Sequence, residues 1–205
     1  MNSSPESAFT GRFLAAIVAV AERIDTGLVD QLADRLASVR DNAGRVFVVG
    51  VGGGAANASH AACDLRGLAA FEAYAPTDSS ASLTAAANDY GWRHSVSRWL
   101  TGSKIGSRDA LMVFSVGGGS EDPAVSVNLI EAMSVARTAG AFICGVVGPD
   151  GGETARQADL CLRVPVSDRE FRTTHTEIYQ SVLWHLLVSH PRLRAGTPLW
   201  ETLRP

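Results

Sequence analysis

The sequence predicts a three-layer α/β/α sandwich with a mainly parallel sheet of about five strands, preceded by a helical N-terminal segment. Short apolar runs rich in Val, Ile and Leu alternate with helical patterns, which is typical of a parallel sheet covered on both faces. Two glycine-rich loops, at 49–57 and 115–120, each follow such a run. In open α/β sheets, loops of this kind lie at the carboxyl edge, where ligands bind. No interdomain linker is evident, so we expect one domain over residues 1–205.

The N-terminal segment, residues 1–40, is predicted to be helical. Apolar residues recur at helical spacing over Phe9–Val39 with Gly27 in the middle, which favours one long helix or two consecutive ones. The first strand is predicted at Arg45–Gly50, because the run RVFVVG is short, apolar and β-branched. A helical pattern over Ala56–Leu68 follows it.

The rest of the α/β core, which we expect to span residues 45–190, repeats this alternation. The further predicted strands are a short one around Phe71–Tyr74 and longer ones within Ala110–Gly119, Ala141–Gly148 and Asp159–Val166. The further predicted helices cover Ala81–Ala87, Gly91–Leu100 and Val127–Thr138, then a short helix, then a final helix through His175–Leu187.

Composition excludes several classes of function. The chain is 46% hydrophobic and 19% charged with no apolar run long enough for a membrane span, so we expect a globular protein without a membrane partner. The formal charge of −3 and the scattered basic residues argue against nucleic acid as a partner. The first residues lack the features of a secretory signal, so the cytoplasm is the expected location. Cys63, Cys144 and Cys161 form no CxxC pattern and are interpreted as reduced structural thiols.

The two glycine-rich loops are candidates for anion binding. Glycine lets backbone amides approach an anion closely, and the start of the following helix adds partial positive charge. Ser115, Ser120 and Ser126 could add hydroxyl donors to the second loop. The alternative, that the glycines only form tight turns, stays open. Nucleotide binding is disfavoured, because Ala55 stands where a GxGxxG pattern needs glycine and neither loop has a Walker lysine.

Two pairs of polar residues lie on the first and last helices of the α/β core. His60 and Asp64 are spaced i, i+4, so they project from one helix face about a turn apart. Glu177 and His185 are separated by just over two turns and again share roughly one face. Imidazole and carboxylate groups suit zinc, and four such ligands match its tetrahedral coordination. The alternative is a helix-capping aspartate beside an ordinary histidine, with His185 packed in the core.

Several motifs together resemble the sugar isomerase (SIS) domain family, and within it the phosphoheptose isomerases. In chain order these motifs are GVGGGAANASHAACDLRG, NDYGW, SVGGGS, GPDGG, DLCLRVP and TEIYQSVLWH. The resemblance covers most of the chain. It implies a flavodoxin-like SIS fold assembled as a homotetramer, with active sites near the subunit interfaces and the apolar N-terminal helices as a candidate interface.

The resemblance also implies roles for individual residues. It places His60, Asp64, Glu177 and His185 at the family's metal-ligand positions, with zinc as the expected metal, and Asp64 and His185 at the acid/base positions. The residues it places at the sugar phosphate are Gly53, Gly54, Asn57, Asp89, Ser115, Gly117, Gly118, Gly119, Ser120, Ser126 and Glu177. Either Ser120 or Ser126 could match the family's last phosphate-binding serine.

Several departures from the family pattern favour a divergent branch with an altered sugar. Asp64 stands where phosphoheptose isomerases usually have glutamate, and Glu177 where they usually have glutamine. The second loop carries extra residues before its helix. Further replacements occur at Val51, Gly54, Asn57 and Thr174.

The activity implied by the resemblance is isomerisation of sedoheptulose 7-phosphate to D-glycero-D-manno-heptose 7-phosphate. This reaction passes through a cis-enediol and needs a base, a conjugate acid and a polarised carbonyl, which a carboxylate, a histidine and a metal can supply. Two alternatives are an isomerase of another ketose phosphate and a non-catalytic SIS regulator that binds sugar phosphates. Retention of all four polar positions favours an enzyme, because a binding module has no chemical need for that set.

Overall fold

A computed structural model describes residues 5–203, and within them the strands form a five-stranded parallel sheet. The strands are β1 (Arg45–Gly50), β2 (Glu72–Tyr74), β3 (Ala110–Ser115), β4 (Phe142–Val147) and β5 (Leu160–Arg163), in the spatial order β2-β1-β3-β4-β5. Each neighbouring pair is parallel. The predicted sheet is therefore confirmed. The predicted domain limits include residues 1–4 and 204–205, which lie outside the described residues.

Helices cover both faces of this sheet. They are α1 (Pro5–Ala21), α2 (Thr26–Asp41), α3 (Gly53–Ala69), α4 (Ser80–Tyr90), α5 (Ser95–Gly102), α6 (Val127–Thr138), α7 (Gly152–Gln157), α8 (Arg172–Ser189) and α9 (Leu199–Thr202). The N-terminal segment is two consecutive helices, and Asp25 caps the second by accepting a hydrogen bond from the Leu28 amide. Helix α3 begins earlier than its apolar pattern indicates, because glycine in its first turn weakens the helical signal.

The core consists of two apolar clusters, one on each face of the sheet. Along β1, Val46 and Val48 pack under α2, α3 and α8, whereas Phe47 and Val49 pack under α5 and α6. This alternation follows from the two-residue period of a strand. Both faces of β1 are buried, which is why its sequence is a continuous apolar run.

Helix α1 packs on the first turn of α8 through aromatic rings. The Phe13 ring centroid lies 5.1 Å from that of Phe171 and 4.5 Å from that of His175. His175 is fully buried, and burial lowers the pKa of its imidazole. Arg12 pairs with Asp168 at 2.9 Å, which adds a polar contact beside the rings.

Asp109 joins the amino-terminal ends of β1 and β3. Its carboxylate accepts hydrogen bonds from the backbone amides of Arg45 and Gly106, each at 2.9 Å, and from the Arg45 guanidinium at 2.8 Å. Burial by itself would raise the pKa of Asp109, but these hydrogen bonds outweigh it and the pKa lies below its usual value. The ionised carboxylate therefore stabilises the amino edge of the sheet.

We expect Asp109→Asn to lower the free energy of unfolding by about 2 kcal/mol at pH 7, because an amide leaves Arg45 without its buried counter-charge. A carboxylate with a lowered folded-state pKa contributes stability above its unfolded pKa and loses it as the pH falls through the folded pKa. The difference between wild type and variant, measured by urea denaturation, should thus shrink between about pH 5 and pH 2. The exposed Asp41→Asn serves as control. A difference independent of pH would contradict this account.

Candidate functional site

The candidate site lies between α3 and α8, which pack beside each other on one face of the sheet. The Asn57 side chain on α3 donates to the Glu177 carbonyl at 2.9 Å and to the Gln180 side-chain oxygen at 3.0 Å. Gln180 is fully buried and donates in turn to the Val146 carbonyl of β4 at 3.3 Å. These bonds fix α3, α8 and β4 relative to one another. The side-chain nitrogen of Asn57 thus joins two helices, and the substrate contact implied for Asn57 stays a prediction.

Three of the four predicted polar residues converge between these helices. Candidate ligand atoms of His60, Asp64 and His185 all lie within 4.8 Å of one another. The Asp64 carboxylate lies 3.8 Å from the Nε2 atom of each imidazole. Asp64 is 21% exposed, and the side chains of His60 and His185 are 60% and 49% exposed, so the group opens to the protein surface.

The contacts of His185 define which of its nitrogens faces the group. Its Nδ1 lies 2.8 Å from the Ser181 carbonyl, and since a carbonyl only accepts, Nδ1 carries the proton. In the neutral ring Nε2 then has a free lone pair on the side of Asp64. A backbone partner of this kind is the usual way in which a metal-binding histidine is oriented.

Trp184 lies under the group. It is 1% exposed, and its ring centroid lies 4.6 Å from that of His60 and 3.4 Å from that of His185. The sequence interpretation missed Trp184 and Gln180, which hold the group in place. The available signal for Gln180 was a polar residue one turn before the apolar Leu183 and Trp184 on the same helix.

Residues His60, Asp64 and His185 fit a divalent metal by their chemistry. Two imidazole nitrogens and a carboxylate oxygen suit zinc and related ions, and three protein ligands leave the open position that catalytic metals use. A metal-binding histidine must offer an unprotonated nitrogen, and His185 Nε2 is such an atom when Nδ1 carries the proton.

Glu177 is a residue of α8, but its carboxylate lies outside the group formed by His60, Asp64 and His185 and is located at the start of α3. A Cβ on Gly53 would overlap the Glu177 carboxylate, so glycine at this position makes room for that side chain. The start of a helix carries partial positive charge, which favours a carboxylate there. Gly54 is buried, and a Cβ on it would lie 2.6 Å from the Phe114 carbonyl, so it permits close packing of α3 on β3. The metal and substrate roles of Glu177 stay predictions.

The second glycine loop is held by α7. The Ser115 hydroxyl accepts a hydrogen bond from the Gly118 amide at 3.0 Å, and the Gly118 carbonyl accepts from the Thr154 amide and hydroxyl at 2.8 and 2.7 Å. The Gly119 carbonyl accepts from the first turn of α7 as well. Gly118 and Gly119 are buried, whereas Gly117 is exposed. Of these three glycines, Gly117 is therefore the one most open to solvent in the single chain.

Ser120 and Ser126 lie at the two ends of the extra residues in this loop. Ser120 and Val125 exchange backbone hydrogen bonds of 2.9 and 3.0 Å, and the Ser120 hydroxyl donates to the Asp122 carbonyl. Ser126 occupies the N-cap position of α6 in a left-handed conformation, with φ of 52°, and its side chain makes no capping bond. The Ser126 hydroxyl is thus the one left at the start of a long helix.

Asp89 lies apart from this arrangement on α4. It is exposed near the end of that helix and accepts a hydrogen bond from the neighbouring Asn88 side chain at 2.8 Å. No residue of α4 is buried in the single chain. The substrate contact implied for Asp89 stays a prediction.

Comparison with known proteins gives consistent matches. Residues 12–148 match the SIS domain family. A phosphoheptose isomerase from Rhodospirillum rubrum is 34% identical over 152 residues, 72% of this chain and 72% of that protein. One from Aneurinibacillus thermoaerophilus is 32% identical over 143 residues, 67% of this chain and 69% of that protein.

Solved structures agree with these matches. The phosphoheptose isomerase GmhA from Neisseria gonorrhoeae superposes with a TM-score of 0.76 at 26% identity, covering 89% of this chain and 94% of that one. A phosphoheptose isomerase from Francisella tularensis superposes with a TM-score of 0.77 at 22% identity, covering 92% and 97%, which supports the fold.

We expect Zn²⁺ to bind the group and Asp64→Asn to weaken that binding. Mutating a residue that only hydrogen-bonds to a metal ligand typically lowers metal affinity by about 10- to 100-fold. Loss of a ligand itself should therefore lower the affinity for Zn²⁺ at least as much. Isothermal titration calorimetry measures the change. His94→Gln, which alters an exposed histidine outside the group, is the control. Equal affinity of the wild type and Asp64→Asn would contradict the assignment.

Proposed function

Because the chain belongs to the SIS domain family, we propose that it is an aldose-ketose isomerase acting on a phosphosugar, converting sedoheptulose 7-phosphate to D-glycero-D-manno-heptose 7-phosphate. The convergence of His60, Asp64 and His185 carries this proposal. The relatives named phosphoheptose isomerase support the substrate. We further propose that residues 1–205 form a single SIS domain.

The reaction moves a proton between C1 and C2 of the sugar, and we assign Asp64 and His185 to this transfer. Asp64 is a carboxylate held between two imidazoles, which suits a base. The Nδ1–H group of His185 donates to the Ser181 carbonyl, so the nitrogen that exchanges a proton with the substrate is Nε2. The two side chains lie 3.8 Å apart, close enough to serve one small substrate.

We propose that the metal positions are His60, Asp64, Glu177 and His185, with zinc as the ion. When bound, zinc polarises the substrate carbonyl. His185 Nε2 cannot hold a metal and a proton at the same time, so these two roles of His185 belong to different states of the site. To join the other three ligands, the Glu177 carboxylate would have to move away from its position beside Gly53.

We assign the phosphate end of the substrate to the second loop and the start of α6. Exposed Gly117 and the free hydroxyl of Ser126 support this assignment. Binding energy from a distant phosphate can position the sugar against the acid/base pair. The other proposed substrate contacts are Gly53, Gly54, Asn57, Asp89, Ser115, Gly118, Gly119, Ser120 and Glu177.

An isomerase of another ketose phosphate is the second candidate. The hairpin at Ser120–Val125 favours it, because Arg93 holds Glu121 of this hairpin at 2.7 Å and so fixes a changed loop beside the phosphate site. A non-catalytic sugar-phosphate regulator is a third candidate. The converged acid/base group argues against it.

We propose a homotetramer with active sites near the subunit interfaces, located in the cytoplasm. Helix α1 exposes Phe9, Leu14 and Val18, which are 47%, 56% and 57% accessible in the single chain. Leu14 and Val18 are four residues apart and so share one face of α1, and exposed apolar side chains on a common face are typical of a surface that another subunit covers. Phe9 lies on the other side of the helix, with its ring centroid 5.7 Å from that of Phe171. Within the described residues, the helices are too short or too polar to cross a membrane.

Purified protein is expected to convert sedoheptulose 7-phosphate, with the product followed by NMR. Asp64→Asn and His185→Gln should each lower kcat by about 10²- to 10⁴-fold, because each removes a proton-transfer group. His94→Gln should keep full activity, and a chelator should remove activity that zinc restores. Turnover of a different ketose phosphate alone would favour the second candidate, and saturable binding without product the third.

Leu14→Asp combined with Val18→Asp is expected to dissociate the tetramer into smaller species, because buried charge opposes association. Light scattering coupled to size-exclusion chromatography gives the mass. Glu22→Lys, an exposed position after the same helix, is the control. An unchanged mass for the double variant would place the interface elsewhere.

A further inference from the structure

Asn128 has a buried side-chain amide without a hydrogen-bond partner among the described residues. It lies in the first turn of α6 and is 1% exposed, and both Oδ1 and Nδ2 are unpaired. Burying an amide without partners costs stability. Native proteins pair nearly all such groups, so an exception calls for a physical reason.

The first turn of α6, which carries Asn128, lies against the second glycine loop: a Cβ on Gly119 would lie 3.1 Å from the Ile130 side chain and 3.5 Å from the Ser126 carbonyl. Ala132, one turn further along the same face, packs in the apolar cluster that contains Val49 and Val113. Helix α6 starts at the carboxyl edge of the sheet and runs towards the amino edge, so Asn128 lies one turn nearer to the carboxyl edge. Side chains tilt towards the start of their helix, so we expect the amide of Asn128 to point towards the side of Ser126 and the loop.

Gln180 shows how this chain treats a buried amide that has a structural role. Gln180 is fully buried like Asn128, but its oxygen accepts from Asn57 and its nitrogen donates to the Val146 carbonyl. Both ends are paired, and the residue joins α3, α8 and β4. Asn128 has nearly the same burial and neither bond, so its amide does not join elements of the fold in this way.

We propose that Asn128 is a positioning residue for the phosphate loop, and that its amide forms hydrogen bonds only when an anionic ligand is bound. This inference rests on the proposed function, which assigns the phosphate to this loop. The amide can both donate and accept, and the Ser126 hydroxyl, two residues earlier in the chain, makes no capping bond and is available to it. Because Asn128 is fully covered, it acts through the loop and does not touch the ligand.

The proposal explains how binding of a small anion can move the loop. A ligand shifts a protein between two states only by the difference in free energy that it experiences between them. An amide that is unpaired in the free state and paired in the bound state supplies such a difference. In this proposal the unpaired amide raises the free energy of the protein without ligand, and its hydrogen bonds lower the free energy when the ligand is bound.

The test compares Asn128→Leu with the wild type by thermal unfolding and by titration with inorganic phosphate. Leucine has a similar size and needs no hydrogen bond, so the ligand-free variant should melt at a higher temperature. Its affinity for phosphate should fall on the order of tenfold, since the gained bonds are lost. Gln180→Leu is the matched control and should melt at a lower temperature, because its partners are left unpaired.

A lower melting temperature for Asn128→Leu with unchanged phosphate affinity would overturn the proposal and make Asn128 a structural residue. So would a wild type that does not bind phosphate. Asn128→Asp keeps the shape and adds a negative charge, and it tests the proposal if the leucine variant does not fold. It should raise KM for the sugar phosphate more than it lowers kcat, and an unchanged KM would count against the role.

Phosphate titration needs no turnover, so it separates the two proposals. If Asn128→Leu loses phosphate binding while the wild type converts no ketose phosphate, the loop role stands and the proposed function fails. If the wild type is an active isomerase and the variant binds phosphate normally, the function stands and the loop role fails.

Discussion

The pairing of α3 with α8 is the contact on which the candidate site depends. Asn57 bonds to the Glu177 carbonyl and to the Gln180 side chain, and Gln180 bonds on to β4. This fixes how far one helix is shifted along the other. His60 and Asp64 meet His185 only at that shift, because one helical turn of sliding would move their atoms by about 5 Å.

Local patterns in the sequence were enough to predict the sheet and one half of the site. Continuous apolar runs predicted β1, β3 and β4, since strands buried on both faces need no polar residues. The i, i+4 spacing of His60 and Asp64 predicted their common face. The approach of His185 required the family resemblance, because no local pattern states how two distant helices pack.

The position of the Glu177 carboxylate and the surroundings of Ser126 could not be predicted from the sequence. The spacing to His185 put Glu177 on the expected helix face, yet its flexible side chain lies at the start of α3, where Gly53 leaves space. For the last loop serine the sequence left two options. The structure distinguishes the two serines, because Ser120 pairs with Val125 through backbone hydrogen bonds whereas Ser126 precedes α6. The glycine run itself is explained by close helix packing as much as by any ligand.

The aromatic contact between α1 and α8 has a consequence for dissecting the chain. Phe13 lies against Phe171 and the buried His175 at the first turn of the helix that carries His185. A shortened protein beginning at β1 would retain all five strands, yet it would leave these aromatic rings bare at the start of the helix that carries His185. The N-terminal helix is thus part of the scaffold of the site, and removing it is not a neutral truncation.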